Sequence, residues 1–220
     1  MIKSSDYAAG NGNVFMKLAD QLRDDYRFAN IANPDILEAS GLEGKIVLQR
    51  PRAMKNKFEE ADIEYTGDKW TVGLLKSWVR ENAAGACPVI TQETMSALKR
   101  PALMAFYNVD YDLDPKGTQY WRNRVMKVGL DFGDKINLAV GNNKAFAGLL
   151  NGELGGDKST GGKPMVVVLD ENDKKFIMEE EFNSDMKSLR AFVESYLAGE
   201  LEPFVKSEAV PENQVYLQLN

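Results

Sequence analysis

The chain contains no histidine among its 220 residues. Without an imidazole there can be no Ser-His-Asp triad, no Cys-His nucleophile and no side chain that ordinarily titrates near neutral pH. Cysteine occurs once, as Cys87, so neither an intrachain disulfide nor a two-cysteine redox motif can form within it. A lone cysteine between Ala86 and Pro88 reads as a small buried hydrophobe rather than a working thiol. No apolar run approaches the ~20 residues that span a membrane. There is no Asn-x-Ser/Thr sequon. Positive charge is also in deficit: 27 basic residues face 33 acidic ones, a net −6, which argues against nucleic-acid binding. On such a background, any local basic cluster carries information.

What is present is a repeat. Leu75, Trp78, Val79, Ala84 and Gly85 are answered 114 positions later by Leu189, Phe192, Val193, Ala198 and Gly199. An earlier stretch recurs at an offset of 110, pairing Met16 with Met126, Leu22 with Phe132 and Ala29 with Ala139. Two copies at a nearly constant offset indicate two domains of one fold in tandem. By the same alignment residue 1 corresponds to about residue 111, so the segment Cys87–Asp110 has no counterpart in the first copy. The chain is expected to start part-way into its first domain.

In the second copy the pattern gives strands at Val89–Thr91, Ala102–Asn108, Ile136–Val140, Met165–Leu169 and Lys175–Met178. It gives helices at Gln92–Leu98, Thr118–Phe132, Lys144–Leu150 and Ser184–Ala198. The first copy repeats the later part: helix Val14–Asp24, strand Tyr26–Ala32, short helix Pro34–Ala39, strands Lys45–Arg50 and Phe58–Tyr65, helix Trp70–Asn82. Strands alternating with helices imply parallel pairing, and the last two strands, joined by Asp170–Asp173, imply an antiparallel hairpin. That order is the thioredoxin fold. The expected architecture is therefore α/β: tandem thioredoxin-like domains, each a mixed sheet flanked by helices, at 1–86 and 87–206. A linker and the start of a further domain would follow at 207–220, with Val215–Leu219 as a strand. The first domain is expected to lack its N-terminal strand-helix-strand. Pro164, ahead of the fourth strand of the second copy, is the candidate structural cis-proline.

Particular stretches are more specific. Asn56–Glu59, Tyr107–Tyr111, Lys116–Met126 and Lys206–Glu212 resemble the middle of a protein disulfide isomerase. The resemblance is strongest to the glycoprotein-dedicated branch that works with calnexin and calreticulin in the endoplasmic reticulum. In that family's a-b-b′-a′ order the chain looks like a truncated b domain followed by b′. The resemblance implies a non-catalytic scaffold in the endoplasmic reticulum lumen, with no cofactor and no metal. Its partner would be the acidic arm of calnexin or calreticulin, with glycoproteins engaged only indirectly and neither nucleic acid nor membrane bound. Lys57, Lys116 and Arg124 match the positions through which such a region holds that arm. The residues agree independently on the absence of redox chemistry: where a redox thioredoxin domain carries Cys-x-x-Cys, this chain reads Asn108-Val109-Asp110-Tyr111.

Other constellations have simpler readings. Arg122 and Lys127 are expected on a solvated helix face, and Tyr120 and Trp121 are expected to anchor their helix to the core. Asp110, Asp112 and Asp114 open like an EF-hand, but Pro115 replaces the required glycine and Trp121 the terminal glutamate. Glu179–Glu181 reads as a solvated acidic turn. Two alternative functions stay open at this point. One is a general polypeptide-binding groove lined by Phe106, Tyr107, Phe132 and Phe146. The other is a thiol-cofactor transferase using Ser5 or Tyr7 near Pro164.

Overall fold

A computed structural model describes residues 1–4, 11–159 and 161–206. The first unit is built on four strands, β1 (Ile2–Ser4), β2 (Phe28–Asn30), β3 (Ile46–Gln49) and β4 (Asp62–Glu64), in the order β2-β1-β3-β4. β1 runs parallel to β2 and antiparallel to β3, and β4 pairs antiparallel with β3. Because side chains alternate across a strand, Ile2, Ile46 and Leu48 face one side. There they meet Phe15, Leu18 and Leu22 of helix α1 (Asn11–Leu22) and Leu75 and Val79 of helix α3 (Val72–Ala83). The opposite face carries Lys3, Gln49, Asp62 and Glu64 beside Val47. Helix α2 (Pro34–Ser40) buries nothing of its own. It is held by local chemistry: Asn33 Oδ1 accepts the N–H of Asp35 at 2.9 Å and of Ile36 at 3.3 Å. The first core is thus one layer deep.

The second unit has five strands, β5 (Val89–Ile90), β6 (Ala102–Tyr107), β7 (Asn137–Asn142), β8 (Met165–Leu169) and β9 (Lys175–Ile177), in the order β5-β7-β6-β8-β9. All six residues of β6 are buried, the continuous apolar run that a strand covered on both faces requires. Helices α4 (Pro115–Gly129) and α6 (Lys187–Leu197) cover Leu103, Ala105, Tyr107, Val166 and Val168. Helix α5 (Ala147–Glu153) and its flanking Phe146 cover Met104, Phe106, Met165 and Val167. Close approach has a residue-level cause: a Cβ on Gly129 would lie 2.1 Å from Leu138 Cδ2 of β7.

Several expectations need correction. The first unit lacks a counterpart of β5 among the described residues, but its central strand is present. Ile2–Ser4, although only three residues long, pairs along its whole length with β2 on one side and β3 on the other. Pro164 is not cis. It is buried and joins β8 through a trans bond; the cis bond among the described residues is Arg100–Pro101, just before β6. Gly161 and Gly162 make the turn with φ of 59° and 78°, so the chain reverses there without giving up the ordinary trans preference of about 0.5–1 kcal/mol. The expected helix Gln92–Leu98 is a turn with a short 3-10 segment, Met95–Ala97. Here the Thr94 hydroxyl accepts the Thr91 N–H at 2.9 Å and caps the start, and the turn ends at Leu98, whose backbone is already extended with ψ of 125°. The expected strand Phe58–Tyr65 is only β4, because Asn56 folds residues 56–59 into a side-chain-capped turn. Ser5, Tyr7 and Val215–Leu219 lie outside the described residues.

Candidate functional site

Helix α4 begins where the sequence supplies a cap. Asp114 Oδ1 accepts the Gly117 N–H at 2.9 Å and Pro115 takes the first helical position, where no N–H is needed. Upstream, Asp110 Oδ1 accepts the N–H groups of Asp112 and Leu113 at 2.9 and 2.8 Å. Two of the three EF-hand-like carboxylates, Asp110 and Asp114, are thus engaged with backbone, and no metal-capable cluster occurs among the described residues. Tyr107 Oη donates to the Thr118 carbonyl at 2.7 Å, tying the start of α4 to the central strand β6.

At about 100° per residue, Lys116, Tyr120, Arg124 and Lys127 fall within about 80° of arc on α4. Lys116, Tyr120 and Lys127 are exposed and Arg124 is half-buried. Two of the three expected partner-binding residues, Lys116 and Arg124, therefore share one outward face. Arg124 is fixed there. Its guanidinium carbon sits 3.3 Å from the Tyr120 ring centroid, and its Nη1 donates to the Tyr120 carbonyl at 3.0 Å. Its Nε is buried without a hydrogen-bond partner among the described residues. Tyr120, expected in the core, is 42% exposed, whereas Trp121 is half-buried against the second core.

Arg122 overturns its expectation. It points about 160° away from Arg124 and is wholly buried at the junction of the two units. Its Nε donates to the Cys87 carbonyl at 2.8 Å, Nη2 to Glu59 Oε1 at 2.9 Å and Nη1 to the Met54 carbonyl at 3.5 Å. Glu59 Oε1 also accepts from Asn56 Nδ2 at 2.9 Å and Oε2 from the Ala86 N–H at 2.8 Å, with Arg50 Nη2 at 3.7 Å. Burial opposes ionisation of Glu59, yet the bonds from Ala86, Asn56 and Arg122 outweigh it and hold the carboxyl below its ordinary value. Arg50 completes an Arg-Glu-Arg triad, its Nη1 donating to the Glu60 carbonyl and Nη2 to the Asn82 carbonyl at 3.0 Å.

This clamp determines where Lys57 sits. The segment Met54–Glu59 of the first unit is held against α4 of the second by Arg122, and Phe58 packs into the second unit's core. Lys57, between Asn56 and Phe58, stays exposed with its Nζ 5.4 Å from the Phe58 ring centroid. Gln119 and Asn123, hydrogen-bonded at 2.9 Å, occupy the arc of α4 between buried Arg122 and the Lys116–Arg124 face. The third expected residue is therefore carried to the flank of α4 by the other unit.

Cys87 is fully buried beside this junction, and burial pushes its thiol up to about 12. A thiol held so far from ionisation is not a nucleophile at neutral pH. The residues of the alternative groove are core: Phe106, Tyr107 and Phe146 are buried, and half-buried Phe132 lies under Arg190.

Two thioredoxin-like sheets coupled through a charge triad, with one cysteine between them, define a tandem thioredoxin-fold segment that holds no two-cysteine redox motif. A family model described as "Thioredoxin-like domain" matches residues 11–195. The chain belongs to that family and, within it, is a non-catalytic b-type pair of the protein disulfide isomerase group. It is 41% identical to protein disulfide-isomerase A3 of Gallus gallus over 204 residues, 90% of this chain and 40% of that protein. It is 31% identical to protein disulfide-isomerase A4 of Homo sapiens, over 90% of this chain and 31% of the relative. The chain thus spans well under half of either relative. The crystal structure of the bb fragment of ERp72 superposes with a TM-score of 0.75 at 29% identity, covering 92% of this chain and 90% of that one.

The sequence reading missed Glu59, Arg122 and the role of Tyr120. One signal for Arg122 was present: Thr118, Arg122, Val125, Met126 and Gly129 share the buried stripe of α4, which places a charge where only a paired one is tolerated.

Proposed function

We propose that this chain is an interaction scaffold within a protein disulfide isomerase of the endoplasmic reticulum lumen. Its units, 1–86 and 87–206, together hold the acidic arm of calnexin or calreticulin, so that redox domains elsewhere in the protein act on disulfides of bound glycoproteins. Lys116 and Arg124 on α4, with Lys57 brought alongside by the other unit, are the contacts. The observation that carries this reading is the clamp: buried Arg122 and half-buried Glu59 fix the Lys57 segment on the helix that presents the other two cations. On a chain of net charge −6, three exposed or half-exposed cations on neighbouring elements favour a carboxylate-rich partner and give fast, orienting association.

The test is a calorimetric titration of the chain with the calreticulin arm at about 50 and 200 mM salt. Docking through exposed charges weakens steeply as the screening length falls, while binding in an apolar groove does not. Affinity independent of salt would exclude the ionic reading.

A further inference from the structure

Arg124 is not a free cation on a flexible stem. Its guanidinium carbon lies over Tyr120, 3.3 Å from the ring centroid, and one of its donors is committed to the Tyr120 carbonyl. Tyr120 in turn is braced. Its ring meets Trp121 edge-on, with centroids 5.0 Å apart and planes at 89°. The Trp121 ring packs 5.1 Å from that of Phe182, which is fully buried in the second core. A relay of three aromatic rings therefore runs from the interior to the surface and ends under the guanidinium. The Arg124 Nε is buried, without a partner among the described residues and out of a partner's reach, so the hydrogen-bonding capacity for an incoming oxygen lies in the Nη donors that the Tyr120 carbonyl does not take. The Tyr120 ring is nevertheless 42% exposed, a poor use of an aromatic side chain unless its face is needed.

Resting on the docking reading above, we infer that Tyr120 is a positioning residue of the docking surface: it holds the Arg124 guanidinium in the orientation that receives a partner carboxylate. An arginine loses much of its rotamer freedom when it binds; one already stacked has lost most of it beforehand, so the partner meets a pre-set planar fork. The expected partner segment is therefore an acidic peptide whose carboxylate is read in a fixed plane, which a mobile lysine would not impose. This separates the role of Arg124 from those of Lys57 and Lys116, which act as point charges.

The experiment compares Tyr120→Phe, Tyr120→Leu and Tyr120→Gln in the full chain. Affinity for the calreticulin arm is measured by calorimetry, and order at Arg124 from its Nε–Hε nuclear magnetic resonance signal without partner. Phe keeps the ring and should bind as the parent does, whereas Leu and Gln should weaken binding about two- to fivefold, the range of one exposed cation–π contact. The Arg124 signal should persist in the Phe variant and average out in the other two, with melting temperature unchanged in all three. If Arg124→Ala weakens binding but Leu and Gln do not, the positioning role is wrong and the docking reading stands. If Arg124→Ala has no effect, the docking reading is wrong. In that case an Arg124 signal equally ordered in the Phe, Leu and Gln variants overturns the positioning role on its own.

Discussion

Glu59 shows how much a single carboxylate can organise. A buried charge with one partner removed costs far more than the pair contributes when intact, because the remaining ion has neither water nor counter-charge. Glu59→Ala leaves Arg50 and Arg122 facing one another, and a loss of about 3–5 kcal/mol is expected in urea unfolding. Replacing Arg122 by Met in the same chain should recover much of it. The pH dependence has a definite sign. Since the folded state holds the Glu59 carboxyl below its unfolded value of 4.5, its contribution is present above that pH and is lost as pH falls through the folded value. Between pH 4.5 and more acid conditions the parent should therefore lose stability faster than Glu59→Gln. Cys87 acts at the other end. Its thiol is raised from 9.0 to about 12, so its contribution is intact below pH 9 and declines as pH rises towards 12. The fall in urea midpoint between about pH 8 and 10 should be smaller in Cys87→Ala than in the parent. At this scale the sequence was partly legible. The inertness of Cys87 could be read from its neighbours, but the pairing of Glu59 with Arg122 spans 63 positions and leaves no local trace.

Elements followed the sequence where local chemistry specified them. Asp114 and Pro115 start α4 and Thr71 starts α3, its Oγ1 accepting the Leu74 N–H at 3.2 Å. Asp114→Ala should cost about 1 kcal/mol, read as a lower urea midpoint. The repeat was legible because its residues form matched core positions: Leu75 and Val79 of α3, Leu189 and Val193 of α6 are all buried. Gly85 and Gly199, matched by the same offset, both end their helices at positive φ, 70° and 73°. At Gly85 the constraint is double, because a Cβ would also stand 2.5 Å from Glu59 Oε2. Gly85→Ala is therefore expected to destabilise more than Gly199→Ala, where nothing lies within 4 Å. The elements that depart from the sequence pattern have separate causes. Asn56 accepts main-chain N–H groups that a strand would have used, and the helix expected over 92–98 stops at Leu98, where the backbone turns extended with ψ of 125°.

Across the whole molecule, the two units share a topology but not a core. The second sheet is covered on both faces; the first buries its apolar side against α1 and α3 and shows a polar side carrying Lys3, Gln49, Asp62 and Glu64. Amides of β1 and β3 should accordingly exchange with deuterium before those of β6 and β8, since opening free energy tracks local apolar burial. What joins the units is the Arg50–Glu59–Arg122 triad together with Phe58, and this junction places Lys57 beside the helix of Lys116 and Arg124. The resemblance pointed to those three cations; that the Lys57 segment is held against α4 by Arg122 and Glu59 could be seen only once the fold was in place. The central claim is that they act as one surface. Calorimetric titration with the calreticulin arm should show Lys57→Ala, Lys116→Ala and Arg124→Ala each losing about 1.5–3 kcal/mol, more than tenfold in affinity, as expected for one charge-assisted contact. Unchanged affinity in all three variants would contradict it.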